Sequence, residues 1–384
     1  MWSRNYKQVT RLKKTGLKII GKPRRLQMFQ RKRIPLLLVV LIAGIALLSC
    51  QQTKTADAGD APAKTVEKIV WKSSGHGPAT DPSQLYHDMC CKAITEASGG
   101  RLEVKPFVGG SIVPAYKELD AVHEGVLQMA YTCPMYNLDK WSAAGLISSR
   151  PGALPGEALR TWFDFAGGAD LMNKMMESYN VMTFPGALSP LPEEVFFHSK
   201  VKIESVDDLK GLKARCMGDG GEILKRMGAA TVIIPGGDLY EAMQRGTIDA
   251  MEYSTLASNW EMHFNEVAKY VILSPSRAPS DPQVFFVNKD AFNELPADLQ
   301  RIVRAEVAYW TQAQHEYLVN ESIKAVEKFK EAGNEVYKLP TEVADALVAE
   351  AAAFYEEKSR NEPPIFKEIY TSMKDFGEAY ASIK

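Results

Sequence analysis

The sequence has few cysteines and lacks the compact motifs by which many enzymes are recognised. Five cysteines occur in 384 residues, with no CxxC pair and no Cys/His cluster at zinc spacing. The GxSxG, HExxH and GxxxxGK[ST] motifs are absent, and the six histidines are scattered without ligand spacing. These absences favour a protein that is not an enzyme. Four of the cysteines are expected to be small buried side chains, Cys90, Cys91, Cys133 and Cys216.

Acidic residues are missing from the first 50 positions, which contain twelve basic residues. The net charge of −1 therefore hides a strong segregation, because residues 51–384 carry 34 basic and 47 acidic side chains. Such an acidic body lacks the basic face that nucleic acids require. We therefore expect no nucleic acid partner.

The basic N-terminal segment continues into an apolar run of the kind found in secretion signals. Residues 34–48 are almost all apolar, which is short for a membrane span of about 20 residues but suits a signal peptide. Residues 47–50, Leu-Leu-Ser-Cys, resemble the bacterial lipobox, whose cysteine becomes the lipidated N-terminus of the mature protein. We predict export with lipid anchoring at Cys50. A short membrane anchor is the alternative, and Met1 and Met28 are both candidate translation starts.

The rest of the chain alternates short β-rich runs with helical segments, which is typical of an α/β protein. One helix is predicted from about 155 to 179. The last third differs, because no Gly or Pro occurs between Pro296 and Gly333 and apolar residues recur close to helical spacing. This predicts a single long helix that either braces two lobes or packs on another subunit. Two further helices are predicted near 341–360 and 362–382.

One stretch has the composition of an anion site. Residues 212–222 indicate a strand that ends in Arg215, followed by glycines and the start of a helix. Backbone N–H groups at a helix start suit an anion, and a planar guanidinium can hold a carboxylate with two parallel hydrogen bonds. We predict that Arg215 binds an anion. For an arginine considered alone, a surface ion pair is the alternative.

Several motifs together resemble the solute-binding proteins of tripartite ATP-independent periplasmic (TRAP) transporters, the DctP family. Residues 235–253 (PGGDLYEAMQRGTIDAMEY) are similar to the family's helix, turn and ligand-site strand. Residues 110–125 resemble its first-lobe motif, and residues 209–215 resemble the strand that carries its carboxylate-binding arginine. The resemblance covers about residues 66–335 and is strongest to the branch that binds 2-oxoacids and lactate.

The resemblance implies a ligand site. Arg215 would hold the ligand carboxylate. Glu252 and Tyr253 fall where the branch places a Glu and an aromatic residue that help hold a cation, Na⁺ or Ca²⁺, between protein and ligand; oxygen ligands suit such hard cations. The branch has a Gln where this chain has Pro192, so its cation site would be rebuilt with a glutamate or be missing. Further ligand contacts are expected from Ser74, Tyr136 and Phe196.

The resemblance also implies the fold and the function. It predicts a two-lobed α/β periplasmic-binding-protein fold with a long connecting helix and a C-terminal helical extension. The protein would bind a 2-oxo- or 2-hydroxy-monocarboxylate between its lobes and deliver it to a TRAP permease from the periplasm, and the long helix suggests a homodimer. Alternatives are a binding protein that reports to a signalling receptor and an envelope enzyme, for which no nucleophile–base pair is found.

The predicted organisation assigns each part of the chain to one region. The regions are a lipoprotein signal peptide (1–50), a flexible tether (51–65), lobe I (66–190 with 253–282), lobe II (191–252 with 283–335) and the C-terminal helical extension (336–384).

Overall fold

The computed structural model describes residues 68–384; the predicted signal peptide, lipobox and tether lie outside the described residues. The strands of the described part are β1 (Ile69–Gly75), β2 (Leu102–Phe107), β3 (Met129–Thr132), β4 (Val181–Met182), β5 (Leu188–Leu191), β6 (Val195–Ser199), β7 (Lys213–Arg215), β8 (Ala230–Val232), β9 (Ala250–Met251), β10 (Tyr270–Leu273), β11 (Asp281–Asn288) and β12 (Glu335–Lys338). Its α-helices are α1 (Pro82–Ala97), α2 (Glu118–His123), α3 (Gly156–Phe165), α4 (Gly168–Met175), α5 (Gly218–Arg226), α6 (Leu239–Gln244), α7 (Leu256–Glu261), α8 (Lys289–Asn293), α9 (Ala297–Glu331), α10 (Thr341–Asn361) and α11 (Pro364–Ala381).

The strands form two sheets. The first has the order β2-β1-β3-β11-β4, with β5 also paired to β11. Strand β1 runs parallel to β2 and β3, whereas β11 is antiparallel to β3, β4 and β5. The second sheet has the order β12-β10-β6-β9-β7-β8. Strands β6 and β11 are buried along their whole length, as expected for strands covered on both faces.

Two local features set the positions of Asp81 and Arg215. Helix α1 begins at Asp81, whose Oδ1 accepts a hydrogen bond from the backbone N–H of Ser83 over 2.8 Å, the usual chemistry of an N-cap. Strand β7 ends at Arg215, and α5 begins at Gly218, which has a φ of 59°. Glycine adopts that left-handed conformation without steric cost. The predicted strand–glycine–helix arrangement is confirmed.

The long helix α9 braces both sheets. It has 35 residues and, at about 1.5 Å per residue, spans about 52 Å. It contacts β5 of the first sheet and β12 of the second, which confirms the predicted bracing role. Helix α10 then packs on α5, and α11 packs on α3 and α4.

The strand pairings correct the predicted lobe boundaries. The prediction assigns residues 253–282 to lobe I and 283–335 to lobe II, but β10 pairs with β6 in the second sheet and β11 pairs with β3 in the first. Strand β12 also joins the second sheet, so the C-terminal helical extension begins after Lys338 rather than at residue 336. The error has a physical cause, because the sheet that a short β-rich run joins depends on partners distant in the sequence.

The helix predicted from 155 to 179 is instead two helices, α3 and α4. Gly167 between them has a φ of 87°, which interrupts the helix. At Gly168, a Cβ atom would lie 2.7 Å from a ring atom of Trp162, so this position has no room for a side chain. The break lets α4 fold back against α3.

The four cysteines of the described residues are buried free thiols, which confirms the prediction that they are small buried side chains. Within residues 68–384, no helix is both long enough and apolar enough to cross a bilayer.

Candidate functional site

A cavity lies between elements of the two sheets. Its lining surrounds about 320 Å³ of space not filled by atoms, a figure that includes open solvent. The first sheet and its loops contribute one part of the lining, His76, Asp81, Cys133, Met135, Tyr136, Asp281 and Gln283. The second sheet and its loops contribute the other part, Glu194, Arg215, Glu252, Tyr253 and Ser254.

Arg215 provides a fixed positive charge in this cavity. Its side chain is only 3% exposed; Nε donates to the backbone oxygen of Ile234 over 3.0 Å and Nη1 to that of Glu252 over 2.7 Å. Burial alone would lower the pKa of the guanidinium, but the Glu252 carboxylate, together with the three neighbouring tyrosines, outweighs burial and raises that pKa above its usual value. Arg215 is therefore charged and held in one orientation.

A buried charge network surrounds Glu252. Its Oε1 accepts a hydrogen bond from the backbone N–H of Met217 over 2.5 Å and lies 3.3 Å from Nη2 of Arg277. Its Oε2 lies 3.2 Å from Nη1 of Arg215. Arg277 also forms an ion pair with Glu194. Two guanidiniums and two carboxylates thus lie together beside the cavity, and neither Arg277 nor its pairing with Glu194 was predicted.

Hydrogen bonds cross the cavity between the two lobes. The Tyr253 hydroxyl donates to Oδ2 of Asp81 over 3.0 Å, and the Ser254 hydroxyl donates to Oδ2 of Asp281 over 3.2 Å. Burial and the neighbouring Asp81 carboxylate raise the pKa of Tyr253 well above its usual value. The phenol therefore keeps its proton and acts as a donor. These bonds hold the two lobes together around the cavity.

One end of the cavity is rich in hydrogen-bond acceptors. The pKa of Asp281 is raised to about 7, chiefly by burial and also by the nearby Glu252 and Asp81 carboxylates, while the Ser254 hydrogen bond and Arg277 oppose the shift. The Oε1 atom of Gln283 is buried and has no hydrogen-bond partner among the described residues. A buried acceptor without a donor is costly, so this end is suited to a ligand group or ion that satisfies oxygen atoms.

Another part of the lining is apolar. Cys133 and Met135 pack with Met217 of the second lobe, and Tyr116 and Tyr136 pack against them. The two tyrosine rings lie 4.0 Å apart. This part of the cavity suits the hydrocarbon portion of a small ligand.

Four of the six predicted ligand contacts meet in the cavity, namely Arg215, Glu252, Tyr253 and Tyr136. Ser74 and Phe196 are not part of the lining, contrary to the prediction. The Ser74 hydroxyl donates to the backbone oxygen of Gly75, and Phe196 is fully buried against Phe197. Both side chains therefore point into the packed protein.

The sequence reasoning missed several lining residues, and one signal could have found two of them. Asp281 and Gln283 are two apart on β11, and alternate residues of a strand face the same side. A polar pair at that spacing in an otherwise apolar run indicates a site. Glu194 lies two residues after the unusual Pro192, and that position could have drawn attention to it. His76, Asp81 and Ser254 carry no comparable signal.

The oxygen donors predicted to hold a cation are already engaged by other groups. Within residues 68–384, no three or more His, Cys, Asp or Glu side chains are arranged to hold a metal ion, and Pro192 offers no side-chain oxygen. The Glu252 carboxylate already faces an N–H group and two guanidiniums. The oxygen atoms of Asp281 and Gln283 fit a hard cation, provided that the ligand supplies the remaining oxygens.

Comparison with known proteins decides the family. The family model of DctP, the bacterial extracellular solute-binding protein family 7, matches residues 74–361. The chain belongs to this family. A DctP protein works outside the cytoplasm, and the two-lobed α/β fold predicted from the resemblance is confirmed by solved structures.

Individual relatives of this DctP protein bind small organic acids. The chain is 27% identical over 340 residues to the monocarboxylate 2-oxoacid-binding periplasmic protein of Nostoc sp. strain PCC 7120, covering 88% of this chain and 91% of the relative. A TRAP periplasmic solute-binding protein from Colwellia psychrerythraea, solved with calcium and pyruvate, is 28% identical with a TM-score of 0.77, covering 82% of this chain and 96% of that one. A protein of the same type from Pseudoalteromonas atlantica T6c, solved with sodium and pyruvate, is 25% identical with a TM-score of 0.75, covering 82% and 95%. The predicted class, a TRAP solute-binding protein, is therefore confirmed.

Proposed function

We propose that this protein binds a small monocarboxylate, a 2-oxo- or 2-hydroxy-acid, between its lobes and delivers it to a TRAP membrane permease. The observation that carries the proposal is the buried Arg215 guanidinium, which lines the cavity and is fixed by two backbone carbonyls. A fixed guanidinium binds a carboxylate with charge-assisted hydrogen bonds. The relatives that bind pyruvate support the same ligand class.

The charge of the protein makes this local attraction necessary. Residues 51–384 carry 34 basic and 47 acidic side chains, so the overall field repels an organic anion. The attraction must come from groups close to the ligand. Arg215 supplies the charge, and the apolar surface of Met135 and Tyr136 accommodates the rest of a small acid.

The two lobes would close on the ligand. In the structure, Tyr253 and Ser254 of the second lobe donate hydrogen bonds to Asp81 and Asp281 of the first. A ligand that contacts both lobes favours the closed form and shifts the population toward it. The closed form is then the one that the permease receives.

A hard cation fits the acceptor-rich end of the cavity. Asp281 and Gln283 are the residues that would hold Na⁺ or Ca²⁺, together with oxygens of the acid. When bound, the cation would neutralise the carboxylates that otherwise repel an anionic ligand. Arg215 would still orient the ligand carboxylate from the opposite lobe.

A thermal-shift screen of small organic acids tests this function. Pyruvate, lactate and longer 2-oxoacids should each be tested with Na⁺, with Ca²⁺ and with a chelator. A ligand at a hundred times its dissociation constant stabilises the folded state by about 2.7 kcal/mol, which is a readable shift. A panel in which no acid shifts the unfolding temperature under any condition would contradict the proposal.

We also propose that the protein is anchored to a membrane in the periplasm through a lipid on Cys50. The basic segment, the apolar run 34–48 and the lipobox-like residues 47–50 support this. In cells, wild-type protein should fractionate with membranes and Cys50→Ser should be released or remain as precursor. Equal distribution of the two proteins between membrane and soluble fractions, with the same mature mass for both, would rule out the anchor.

A homodimer is proposed from the exposed side of α9. Tyr309 and Ile323 on this helix are 57% and 68% exposed, so both side chains are accessible to a second subunit. Light scattering should give twice the monomer mass, and Ile323→Glu should shift the protein to monomer. A wild-type protein that is monomeric at all concentrations would remove this proposal.

A further inference from the structure

We propose that His76 selects the acid that the cavity accepts, because its Nε2 atom is a fixed hydrogen-bond acceptor that favours a 2-hydroxy-acid over a 2-oxo-acid. This rests on the proposed function, which places the carboxylate of the acid on Arg215 and allows either group at the 2-position. His76 follows β1 directly and lines the cavity from the first lobe. Its side chain therefore faces the space in which the rest of the acid lies.

A hydrogen bond to the backbone fixes the tautomer of His76. Its Nδ1 atom lies 3.1 Å from the backbone oxygen of Tyr131. A carbonyl oxygen can only accept, so Nδ1 carries the proton and Nε2 of the neutral ring carries a lone pair. Burial lowers the pKa of His76; Asp81 and the Tyr131 oxygen oppose this effect, and His87 adds to it. The ring is therefore neutral above neutral pH, and its Nε2 atom accepts hydrogen bonds.

The Nε2 acceptor meets a weak donor in the structure. The Sγ atom of Cys133 lies 3.9 Å from it, and a thiol is a weak hydrogen-bond donor. Burial raises the pKa of Cys133 well above its usual value, so the thiol keeps its proton and does not become a charged partner. A hydroxyl on a ligand would form a shorter and stronger bond to Nε2 than this thiol does.

The neighbouring polar groups of the first lobe do not reverse this preference. Asp81 and Asp281 are acceptors, and each receives a hydroxyl of the second lobe. The Tyr136 hydroxyl and the Gln283 amide line the cavity, and both groups can donate or accept after rotation. They therefore serve either kind of acid. His76 does not, because the proton on its Nδ1 atom is held in place.

A hydroxyl at the 2-position satisfies this acceptor, and a keto oxygen does not. The hydroxyl carries a proton that it can donate to Nε2, whereas a keto oxygen has only lone pairs. A buried acceptor that loses its access to water and gains no donor is costly. A site that hydrogen-bonds a hydroxyl rejects an analogue without one for the same reason.

Three contacts would also distinguish the two mirror-image forms of the acid. Arg215 holds the carboxylate, the apolar surface of Met135 and Tyr136 accommodates the hydrocarbon, and His76 accepts the hydroxyl proton. Only one enantiomer can direct all three groups to these partners at once. One enantiomer of lactate should therefore bind more tightly than the other and more tightly than pyruvate.

The test is calorimetric titration of L-lactate, D-lactate and pyruvate into the full chain. The buffer contains a chelator and potassium in place of sodium, so that no bound Na⁺ or Ca²⁺ supplies charge to a keto oxygen. At about pH 8.5, Asp281 is ionised and cannot donate to that oxygen, since its pKa is raised to about 7. One lactate enantiomer should bind roughly 5- to 150-fold more tightly than pyruvate, the factor that corresponds to an unpaired buried acceptor.

Variants of His76 assign this preference to its ring. His76→Gln introduces an amide that can turn to accept from lactate or to donate to pyruvate, so it should bind both acids with an affinity ratio close to one. His76→Phe keeps an aromatic ring without an acceptor and should lose lactate affinity while pyruvate affinity changes little. The matched control is His263→Gln, which changes an exposed histidine paired with Glu266 and should keep the wild-type ratio. The wild-type ratio and His76→Gln decide the question even if His76→Phe fails to fold.

Nitrogen NMR of the histidine rings gives a readout that a purely structural role would not change. In labelled wild-type protein, the ring signal that is missing from His76→Gln identifies His76. That ring should carry its proton on Nδ1 and none on Nε2. The preferred lactate enantiomer should shift the Nε2 resonance by donating to its lone pair, and pyruvate should leave that resonance close to its position in the free protein.

Several results would overturn the proposal while leaving the carboxylate contact of Arg215 intact. They are pyruvate binding as tight as that of both lactates, an affinity ratio unchanged in His76→Gln, and a proton on Nε2 of His76. Binding of L-alanine more tightly than either lactate would show that the cavity recognises an ammonium group instead of a hydroxyl. Failure of every acid to bind, in chelator and in Ca²⁺ alike, would instead contradict the proposed function itself.

Discussion

The Nη1 atom of Arg215 donates a hydrogen bond to the backbone oxygen of Glu252 over 2.7 Å and lies 3.2 Å from the carboxylate of the same residue. Arg215 and Glu252 lie at the C-terminal ends of two adjacent parallel strands. Strand β7 ends at Arg215, and strand β9 ends one residue before Glu252. This pair fixes the guanidinium at the cavity with both a neutral and a charged acceptor. The ligand charge is therefore met by a side chain that is already oriented.

Glu252→Gln should destabilise the fold strongly. The substitution leaves the buried guanidiniums of Arg215 and Arg277 without a shared carboxylate, and removing one partner from a buried ion pair costs about 3–5 kcal/mol. Urea unfolding should show this loss in the free energy of unfolding. The matched control is Glu241→Gln, which removes an exposed pair with Arg245 and should cost about 0–1 kcal/mol. Equal losses in the two variants would show that the buried network stabilises the fold no more than an exposed ion pair does.

Tyr253→Phe should weaken ligand binding without unfolding the protein. It removes the 3.0 Å hydrogen bond from the second lobe to Asp81 of the first, and a hydrogen bond to a charged group contributes about 1.5–3 kcal/mol. The closed form loses this contact, so calorimetry should show roughly 10- to 150-fold weaker acid binding. Tyr240→Phe is the control, because that hydroxyl pairs with exposed Glu266 outside the cavity. Affinity unchanged in Tyr253→Phe would mean that this bond has no part in closure.

His198 should make the protein sensitive to acid. Its ring on β6 is fully buried, neither nitrogen has a hydrogen-bond partner among the described residues, and burial lowers its pKa from the usual 6.5 to about 3. The unfolded chain takes up a proton below about pH 6.5 and the folded chain does so only near pH 3, so stability falls as the pH falls through this window.

The contribution of His198 to this pH dependence can be measured by comparing wild type with a variant that lacks the imidazole. Between about pH 7.5 and about pH 5.5, His198 should remove about 1.4 kcal/mol from the free energy of unfolding. Phenylalanine suits this site next to Phe264 and Phe329. Over the same pH interval, urea titrations should show that the free energy of unfolding of His198→Phe falls by about 1.4 kcal/mol less than that of wild type. Identical pH dependence in the two proteins would mean that His198 titrates normally.

Elements that depend on short-range chemistry could be predicted from the sequence. The start of α1 at Asp81, the strand–glycine–helix after Arg215 and the 35-residue helix α9 all follow from neighbouring residues. The sheet membership of β10 and β11 could not be predicted, because each pairs with strands that are distant in the chain. The break at Gly167 and Gly168 was missed because glycine in an apolar periodic pattern is often tolerated within a helix, and only the positive φ of Gly167 shows that this pair ends one.

The same distinction applies to the cavity. Arg215, Glu252 and Tyr253 lie in segments that resemble a family motif, and the structure brings them together at the cavity. Asp281 and Gln283 join them because β11 crosses into the first sheet beside β3 and β5. Their polar pattern is visible in the sequence, but the cavity that they face depends on this long-range pairing.

The most direct test of the central claim is calorimetric titration of pyruvate and lactate into wild-type protein, Arg215→Gln and Arg226→Gln. Arg226 is the matched control, an arginine on α5 whose exposed ion pair with Glu357 lies away from the cavity. Loss of a charge-assisted contact of about 1.5–3 kcal/mol should weaken binding by roughly 10- to 150-fold in Arg215→Gln. The Arg226→Gln protein should bind like wild type. If Arg215→Gln remains folded and binds these acids as tightly as wild type, the carboxylate is not held by Arg215 and the account is wrong.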